Sequence, residues 1–172
     1  VAKGDAIVIV HRNDPAFVVA YLGLSRIGAV AVPVNFMISK PSELAFMFGH
    51  CRAKAVVTQR EFLKGVLAAQ ADCPGLARVW TTDERRGTGD RRGEPNSGAT
   101  QNFWDLVESF PPFEEAAVVS PADVAAVLYT SGTTGRPKGV MLTHANLVSN
   151  VKATVEAVGL KEKDVSLTIL PM

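Results

Sequence analysis

The chain has few of the residues that build metal sites and disulfide frameworks. Among its 172 residues are only two cysteines, Cys51 and Cys73, which lie far apart and form no C-x-x-C pair. We therefore expect free thiols in or near a core rather than a disulfide or a metal site. The three histidines form no H-x-x-x-H pattern, so we predict no structural metal.

Long hydrophobic runs are lacking as well. The longest apolar stretch, Ile27 to Ile38, is interrupted by Gly28, Pro33 and Asn35 and is too short to cross a bilayer. Val1 is not followed by the charged segment and apolar core that begin a secretory signal. We expect a cytoplasmic protein without a transmembrane segment.

An excess of charge of one sign is also missing. The 18 basic and 17 acidic residues leave a net charge of +1, which gives no electrostatic reason to expect a nucleic-acid partner. In residues 83–100, four arginines are balanced by four acids, and no aromatic or large apolar residue anchors the segment. We predict a mobile surface loop there.

What is present predicts one α/β unit, because short apolar runs alternate with amphipathic segments. Strands are expected at Ala6–Val10, Ala29–Val34, Ala55–Thr58, Arg78–Thr81, Val124–Tyr129, Val140–Leu142 and Asp164–Leu170. Helices are expected from Pro15 to Ile27, from Pro41 to about Cys51 with Ser39 or Lys40 as cap, from Glu61 to Ala71, from Phe103 to Val107, and from Thr143 or His144 to Gly159. The alternation predicts a doubly wound fold with a mainly parallel sheet flanked by helices.

One segment is rich in groups that bind phosphate. The run VLYTSGTTGRPKGV, from Val127 to Val140, follows an apolar strand and combines glycines, hydroxyl side chains and Lys138. Its glycines can adopt conformations that let successive N–H groups converge on one anion, and its hydroxyls add donors or a metal ligand. The glycines are Gly132, Gly135 and Gly139, and the hydroxyls are those of Thr130, Ser131, Thr133 and Thr134. We interpret residues 130–139 as a phosphate-binding loop.

Two other interpretations of this loop exist. A flexible glycine-rich turn is common between strands, but so many phosphate-binding groups rarely fall together in so short a segment. A Walker A loop needs G-x-x-x-x-G-K-[ST] before a helix. Pro137 stands where its second glycine is required, and Gly139 stands where a hydroxyl residue should follow Lys138. An ordinary P-loop NTPase is therefore disfavoured.

Three segments resemble one known family, the adenylate-forming enzymes, which include acyl- and aryl-CoA synthetases, firefly-type luciferases and peptide-synthetase adenylation domains. The stretch YTSGTTGRPKGV is similar to the family's signature loop, and the usual LTHANL continuation follows it. Tyr21 to Asn35 resembles the family's helix, glycine, strand and Val-Pro segment, and Leu170 to Met172 resembles a Leu-Pro-Met motif near the acid pocket. The resemblance implies that residues 1–172 are an α/β subdomain of the family's large N-terminal domain, and that the chain is a fragment.

The resemblance implies a ligase that uses ATP, Mg²⁺ and CoA. A carboxylate attacks the α-phosphorus of ATP to give an acyl-adenylate and pyrophosphate, and a thiol then takes the acyl group. Thr130 is the expected magnesium ligand, while Gly135 and Gly139 are expected to let the loop close and reopen. The residues expected to contact ATP phosphates are Thr130, Ser131, Gly132, Thr133, Thr134, Gly135 and Lys138.

Several parts of the family's machinery have no match in these 172 residues. They are the downstream aromatic-Gly-x-Thr-Glu motif, the Tyr-x-x-Gly-Asp segment, the hinge residue and the catalytic lysine of the small C-terminal domain. No complete catalytic set is expected. We predict that this chain alone binds nucleotide weakly and forms no acyl-adenylate.

The expected substrate, from overall similarity, is a medium- or long-chain fatty acid. The segment Val32 to Asn35 favours acyl-CoA synthetases, because adenylation domains more often carry Pro-Leu-Asp there. An aryl-CoA ligase and a peptide-synthetase adenylation domain stay open as alternatives. A non-catalytic nucleotide-binding scaffold is the alternative from a different class.

Three residues near the loop have competing roles. His144 could orient a phosphate, but a helix cap is expected at a strand-to-helix junction. Arg136 is expected to face solvent. Tyr129 is expected to pack in the core, because it alternates with Val127 along the strand.

Overall fold

The computed structural model describes residues 1–83, 100–111, 115–130 and 136–165. Its strands are β1 (Ala6–Val10), β2 (Val30–Val34), β3 (Ala55–Thr58), β4 (Arg78–Thr81), β5 (Thr100–Asn102), β6 (Val124–Thr130) and β7 (Lys138–Thr143). Its helices are α1 (Pro15–Arg26), α2 (Pro41–His50), α3 (Arg60–Gln70), α4 (Phe103–Ser109) and α5 (His144–Val158).

The strands form one sheet in the order β5-β4-β3-β1-β2-β6-β7. Every neighbouring pair is parallel except β6 and β7, which are antiparallel. The chain moves from β1 to β2 on one side and then crosses back to β3 on the other. Because such crossovers are right-handed, this reversal puts α1 on one face and α2 and α3 on the opposite face. The predicted doubly wound, mainly parallel α/β fold is confirmed.

An apolar cluster lies on each face of the sheet. Ile7 and Ile9 of β1 belong to the same cluster as Phe17 of α1. The alternate residues Val8 and Val10 belong to the other cluster, together with buried side chains of α2 and α3. Burial on both faces explains why β1 is apolar throughout.

Strand β5 was not predicted. Residues 83–100 read as a loop, but Thr100 begins a strand and pairs with Val79 of β4. The sequence TQN of β5 is polar and has no alternating pattern, so only its pairing with β4 reveals it. Residues 84–99 lie outside the described part of the chain, and the mobile loop stays a prediction there.

The structure also bears on the predicted start of the last strand and on the predicted N-cap of α2. Asp164 and Val165 belong to no strand, so the last predicted strand does not begin at Asp164, and residues 166–170 lie outside the described residues. The N-cap of α2 is Lys40 rather than Ser39, and its side chain makes no capping hydrogen bond.

Helix α5 has a cap at each end but no buried residue. Thr143 and Asn146 form a capping box at its start, and Gly159 ends it in a left-handed conformation with φ of 69°. These local signals explain why the helix was predicted almost to the residue. Neither α5 nor any other helix in the described residues is long and apolar enough to cross a membrane.

Candidate functional site

The predicted phosphate-binding loop connects β6 and β7. The two strands form an antiparallel hairpin in which Thr130, the last residue of β6, pairs with Lys138, the first residue of β7. Cross-strand partners project from the same side of a hairpin, so the side chains of Thr130 and Lys138 share one face. The other predicted phosphate ligands lie outside the described residues, and they are Ser131, Gly132, Thr133, Thr134 and Gly135.

Thr130 and Lys138 lie at the carboxyl edge of the sheet, because β6 runs parallel to β2. Open α/β sheets bind ligands at that edge. Both residues are exposed, and no acidic side chain in the described ranges forms an ion pair with Lys138. A lysine and a phosphate at ~4 Å attract each other by roughly 4 kcal/mol at an effective dielectric constant of ~20, before desolvation. The charge of Lys138 is therefore available to an anion.

Gly139 has a different role from the one expected. It lies in β7 opposite Tyr129, and its φ is not in the left-handed region. A Cβ atom at this position would lie 3.0 Å from Cγ1 of Val127 and 3.4 Å from Cε1 of Tyr129. Two side chains of β6 cover its backbone, so a larger residue would fit only if they moved by a few tenths of an ångström. In this structure Gly139 has a backbone conformation that other residues also adopt, and its help in closing and reopening the loop stays a prediction.

Tyr129 packs against the core, as predicted. Its hydroxyl lies 2.9 Å from Nδ1 of His50 and 3.1 Å from the carbonyl oxygen of Met47. Burial raises the pKa of Tyr129, so the phenol keeps its proton at neutral pH and can donate it. These contacts could not be predicted from local sequence, because His50 and Tyr129 are 79 positions apart.

Of the predictions for Arg136 and His144, the structure confirms the first and contradicts the second. Arg136 is exposed, as expected for a residue that faces solvent. The expectation of a cap at His144 is wrong, because the cap is Thr143, whose side-chain oxygen accepts a hydrogen bond from the Asn146 amide at 3.2 Å. His144 is the first residue of α5.

A polar cluster that was not predicted lies at the carboxyl end of β1. Arg12 donates to Glu61 from Nε at 2.6 Å and from Nη2 at 2.9 Å. Its guanidinium carbon lies 4.9 Å from the ring centroid of Phe36 and 5.7 Å from that of Phe62. Hydrogen bonding to Arg12 lowers the pKa of Glu61, which keeps the pair charged. Arg12 therefore joins the end of β1 to α3.

His11 is buried beside this cluster, and both of its ring nitrogens have partners. Nδ1 lies 2.8 Å from the carbonyl oxygen of Arg12, to which it donates. Nε2 lies 2.7 Å from the hydroxyl oxygen of Thr82. Nowhere in the described residues do three His, Cys, Asp or Glu side chains gather into a possible metal site.

A cavity of about 700 Å³ lies beside the end of α2. It reaches from the ion pair of Lys3 and Asp123, with an N–O distance of 2.8 Å, to Gly139 of β7. Val127 and Met141 provide part of its apolar lining. Gly139, the last residue of the predicted phosphate-binding loop, lines this space, whereas Thr130 and Lys138 do not.

Cys51, at the edge of this cavity, is expected to react slowly with alkylating reagents. Burial raises the pKa of its thiol to about 11, and only the thiolate reacts. Near pH 8 its alkylation should be about tenfold slower than that of an unhindered cysteine, and the rate should rise as the pH approaches that pKa. Iodoacetamide labelling read by peptide mass spectrometry measures this rate, with the urea-unfolded chain as control. Equal rates in the folded and unfolded chain would contradict the expectation.

Known proteins are similar to this chain in sequence and in fold. The family model described as AMP-binding enzyme matches residues 1–172. The 4-coumarate--CoA ligase CCL1 of Humulus lupulus is 31% identical over 176 residues, which cover 100% of this chain and 30% of that protein. The chain thus spans less than a third of the length of this curated relative.

Solved structures of CoA ligases are also similar to this chain over part of their length. The long-chain-fatty-acid-CoA ligase FadD1 from Archaeoglobus fulgidus superimposes with a TM-score of 0.80 and 31% identity, over 95% of this chain and 30% of that one. An anthranilate CoA ligase in complex with anthranoyl-AMP superimposes with a TM-score of 0.71 and 26% identity, over 84% of this chain and 25% of that one. The seven-stranded sheet therefore corresponds to one part of larger CoA ligases.

Proposed function

Because the chain belongs to the AMP-binding enzyme family, we propose that it supplies the ATP phosphate-binding loop of an AMP-forming acid-CoA ligase. In this proposal, residues 1–172 are the N-terminal α/β subdomain of that enzyme, and the rest of the catalytic machinery lies in other parts of the parent protein. A cytoplasmic location, where ATP and CoA are available, is part of the proposal.

The observation that carries the proposal is the pairing of Thr130 with Lys138 at the carboxyl edge of the sheet. The connection between them contains the sequence SGTTG, which we propose binds the ATP phosphates together with these two residues. A lysine ammonium and several hydroxyl and N–H donors suit a polyphosphate, since each hydrogen bond to a charged group contributes roughly 1.5 to 3 kcal/mol.

The proposed reaction needs charge stabilisation more than covalent chemistry from this part of the protein. The substrate carboxylate attacks the α-phosphorus, the bond to the bridging oxygen breaks, and pyrophosphate leaves with the released charge. Lys138, placed beside the leaving phosphates, would stabilise that charge more strongly in the transition state than in bound ATP. In the second half-reaction, the CoA thiol attacks the acyl carbon and AMP leaves.

Thr130 fits a magnesium ion only as one ligand among several. Its exposed hydroxyl is a suitable oxygen donor, but Mg²⁺ requires about six oxygens in octahedral geometry. Phosphate oxygens, water and groups outside the described residues would complete the set. The bound ion would neutralise phosphate charge.

A medium- or long-chain fatty acid is the proposed acid substrate. The similarity to a long-chain-fatty-acid-CoA ligase supports it, while 4-coumarate and anthranilate ligases of comparable similarity keep an aryl substrate as the alternative within this class. A peptide-synthetase adenylation domain is a further alternative, in which a carrier-protein thiol replaces CoA.

Carboxylate-dependent exchange of labelled pyrophosphate into ATP tests the proposal. The full-length parent is expected to catalyse exchange with fatty acids, and the 172-residue chain alone is expected to show none, because it lacks the family's downstream motifs. Robust exchange by the chain alone would contradict the second expectation. A parent that binds ATP but shows no exchange with any acid would instead support the non-catalytic scaffold.

A further inference from the structure

We propose that Tyr129 and His50 form a positioning pair that holds the phosphate-binding hairpin against the end of α2. The inference rests on the proposed function, because its consequence is the placement of Thr130 and Lys138 for ATP. Neither residue touches the phosphates in this proposal. Both act through the position of the strands that carry the loop.

The hydrogen-bond partners of the Tyr129 hydroxyl indicate which group donates and which accepts. The Tyr129 hydroxyl lies 3.1 Å from the carbonyl oxygen of Met47, which can only accept, and 2.9 Å from Nδ1 of His50. If the hydroxyl donates to Met47, Nδ1 of His50 must carry a proton and donate to the hydroxyl. Both contacts are then satisfied at once. The phenol bridges the last turn of α2 to the final residues of β6.

Ring packing fixes the two side chains further. His50 stacks on Phe46 with a centroid separation of 5.5 Å and meets the Tyr129 ring edge-on at 5.8 Å. The missing side chain of Gly139 leaves the space over β7 that the Tyr129 ring covers. One aromatic side chain thus contacts both strands of the hairpin and α2.

The hairpin needs such an anchor near its end. The register between β2 and β6 joins Ala31 to Ala126, four residues before Thr130. Along the rest of β6, hydrogen-bonded pairing continues with β7, which is the last strand on that side of the sheet among the described residues. Tyr129 directly precedes Thr130, and its pairing partner Gly139 directly follows Lys138. A shift at Tyr129 would therefore move both proposed phosphate contacts together.

Tyr129→Phe tests the pair, and the chain supplies a matched control. Its only other tyrosine, Tyr21, is half-buried on α1 and packs against the apolar cluster on the other face of the sheet from the one that Tyr129 contacts. Amide hydrogen exchange along residues 128–130 and 138–140 should become about three- to tenfold faster in Tyr129→Phe, because a lost hydrogen bond is worth about 1 kcal/mol. Exchange in these strands should not change in Tyr21→Phe.

Variants of His50 separate positioning from general stability. His50 is exposed, so its replacement should leave the fold intact. His50→Asn places a side-chain N–H near the position of Nδ1 and should restore slow exchange, whereas His50→Ala should match Tyr129→Phe. Unchanged hairpin exchange in Tyr129→Phe, or equal exchange in the Asn and Ala variants, would overturn the positioning role.

Titration of the same variants with MgATP, followed by the amide shift of Lys138, connects the pair to the proposed function. Tyr129→Phe should raise the apparent Kd severalfold, and Tyr21→Phe should not. Normal ATP affinity with faster hairpin exchange would overturn the link between the anchor and ATP. If ATP binding does not depend on Lys138, the proposed function fails, while the exchange measurements still decide whether Tyr129 and His50 hold the hairpin.

Discussion

Gly28→Ala is expected to lower the free energy of unfolding by about 2 to 4 kcal/mol, from backbone strain and crowding together. Gly28 has φ of 70°, where a Cβ atom costs roughly 1 to 2 kcal/mol. That atom would also lie 3.1 Å from Cγ of Lys3 and 3.1 Å from Cγ1 of Val119. Both neighbours are side-chain atoms, and each must move by a few tenths of an ångström to admit the new Cβ. Urea unfolding of the two chains measures the difference.

Gly159→Ala is the matched control, since the two glycines share the same backbone conformation. Gly159 has φ of 69°, but a Cβ atom there would meet nothing within 4 Å. Its replacement should lower the free energy of unfolding by backbone strain alone, about 1 to 2 kcal/mol at most, because the helix end is exposed. Equal losses in the two variants would show that crowding at Gly28 contributes nothing.

The bounds of strands and helices could be predicted from the sequence where local signals and burial agree. The strands Ala55–Thr58 and Arg78–Thr81 have their predicted bounds, because short apolar runs lie between polar residues there. Helix α1 begins as predicted after Asp14, whose side chain accepts a hydrogen bond from the Ala16 amide at 2.8 Å.

In the hairpin of β6 and β7, local sequence was not enough to predict where the second strand begins and ends. Strand β7 was predicted as Val140–Leu142 but runs from Lys138 to Thr143. Lysine and glycine have little strand preference of their own, so pairing with β6 determines this boundary. The same long-range pairing brings Tyr129 over Gly139, which sequence reasoning had assigned to loop flexibility.

The sequence predicts which residues form the candidate site, but it does not predict the contacts that hold them in place. Composition and resemblance placed Thr130 and Lys138 in one phosphate site, and the hairpin makes them cross-strand neighbours. The contact of His50 with Tyr129 and that of Arg12 with Glu61 each join distant parts of the chain. No pattern in the sequence indicates which of several exposed polar residues will meet across such distances.

Lys138→Ala is expected to reduce kcat/KM for ATP in the full-length parent by about 5- to 150-fold, equivalent to roughly 1 to 3 kcal/mol. The lysine has no ion-pair partner among the described residues, so its replacement removes a ligand contact without leaving a buried charge unpaired. If Lys138 stabilises charge on the leaving pyrophosphate, kcat should fall as well as kcat/KM. Steady-state kinetics at saturating acid and CoA measure both.

Lys152→Ala is the control for this prediction, because it removes the same charge from an exposed position on α5, outside the predicted phosphate-binding loop. Lys138→Arg is a second variant that keeps the charge but changes its shape, and it should recover part of the lost activity. A KM effect without a kcat effect would place Lys138 in ground-state binding of ATP only. Unchanged kcat and KM for ATP in Lys138→Ala would remove Lys138 from the phosphate site, and with it the observation on which the proposed function depends.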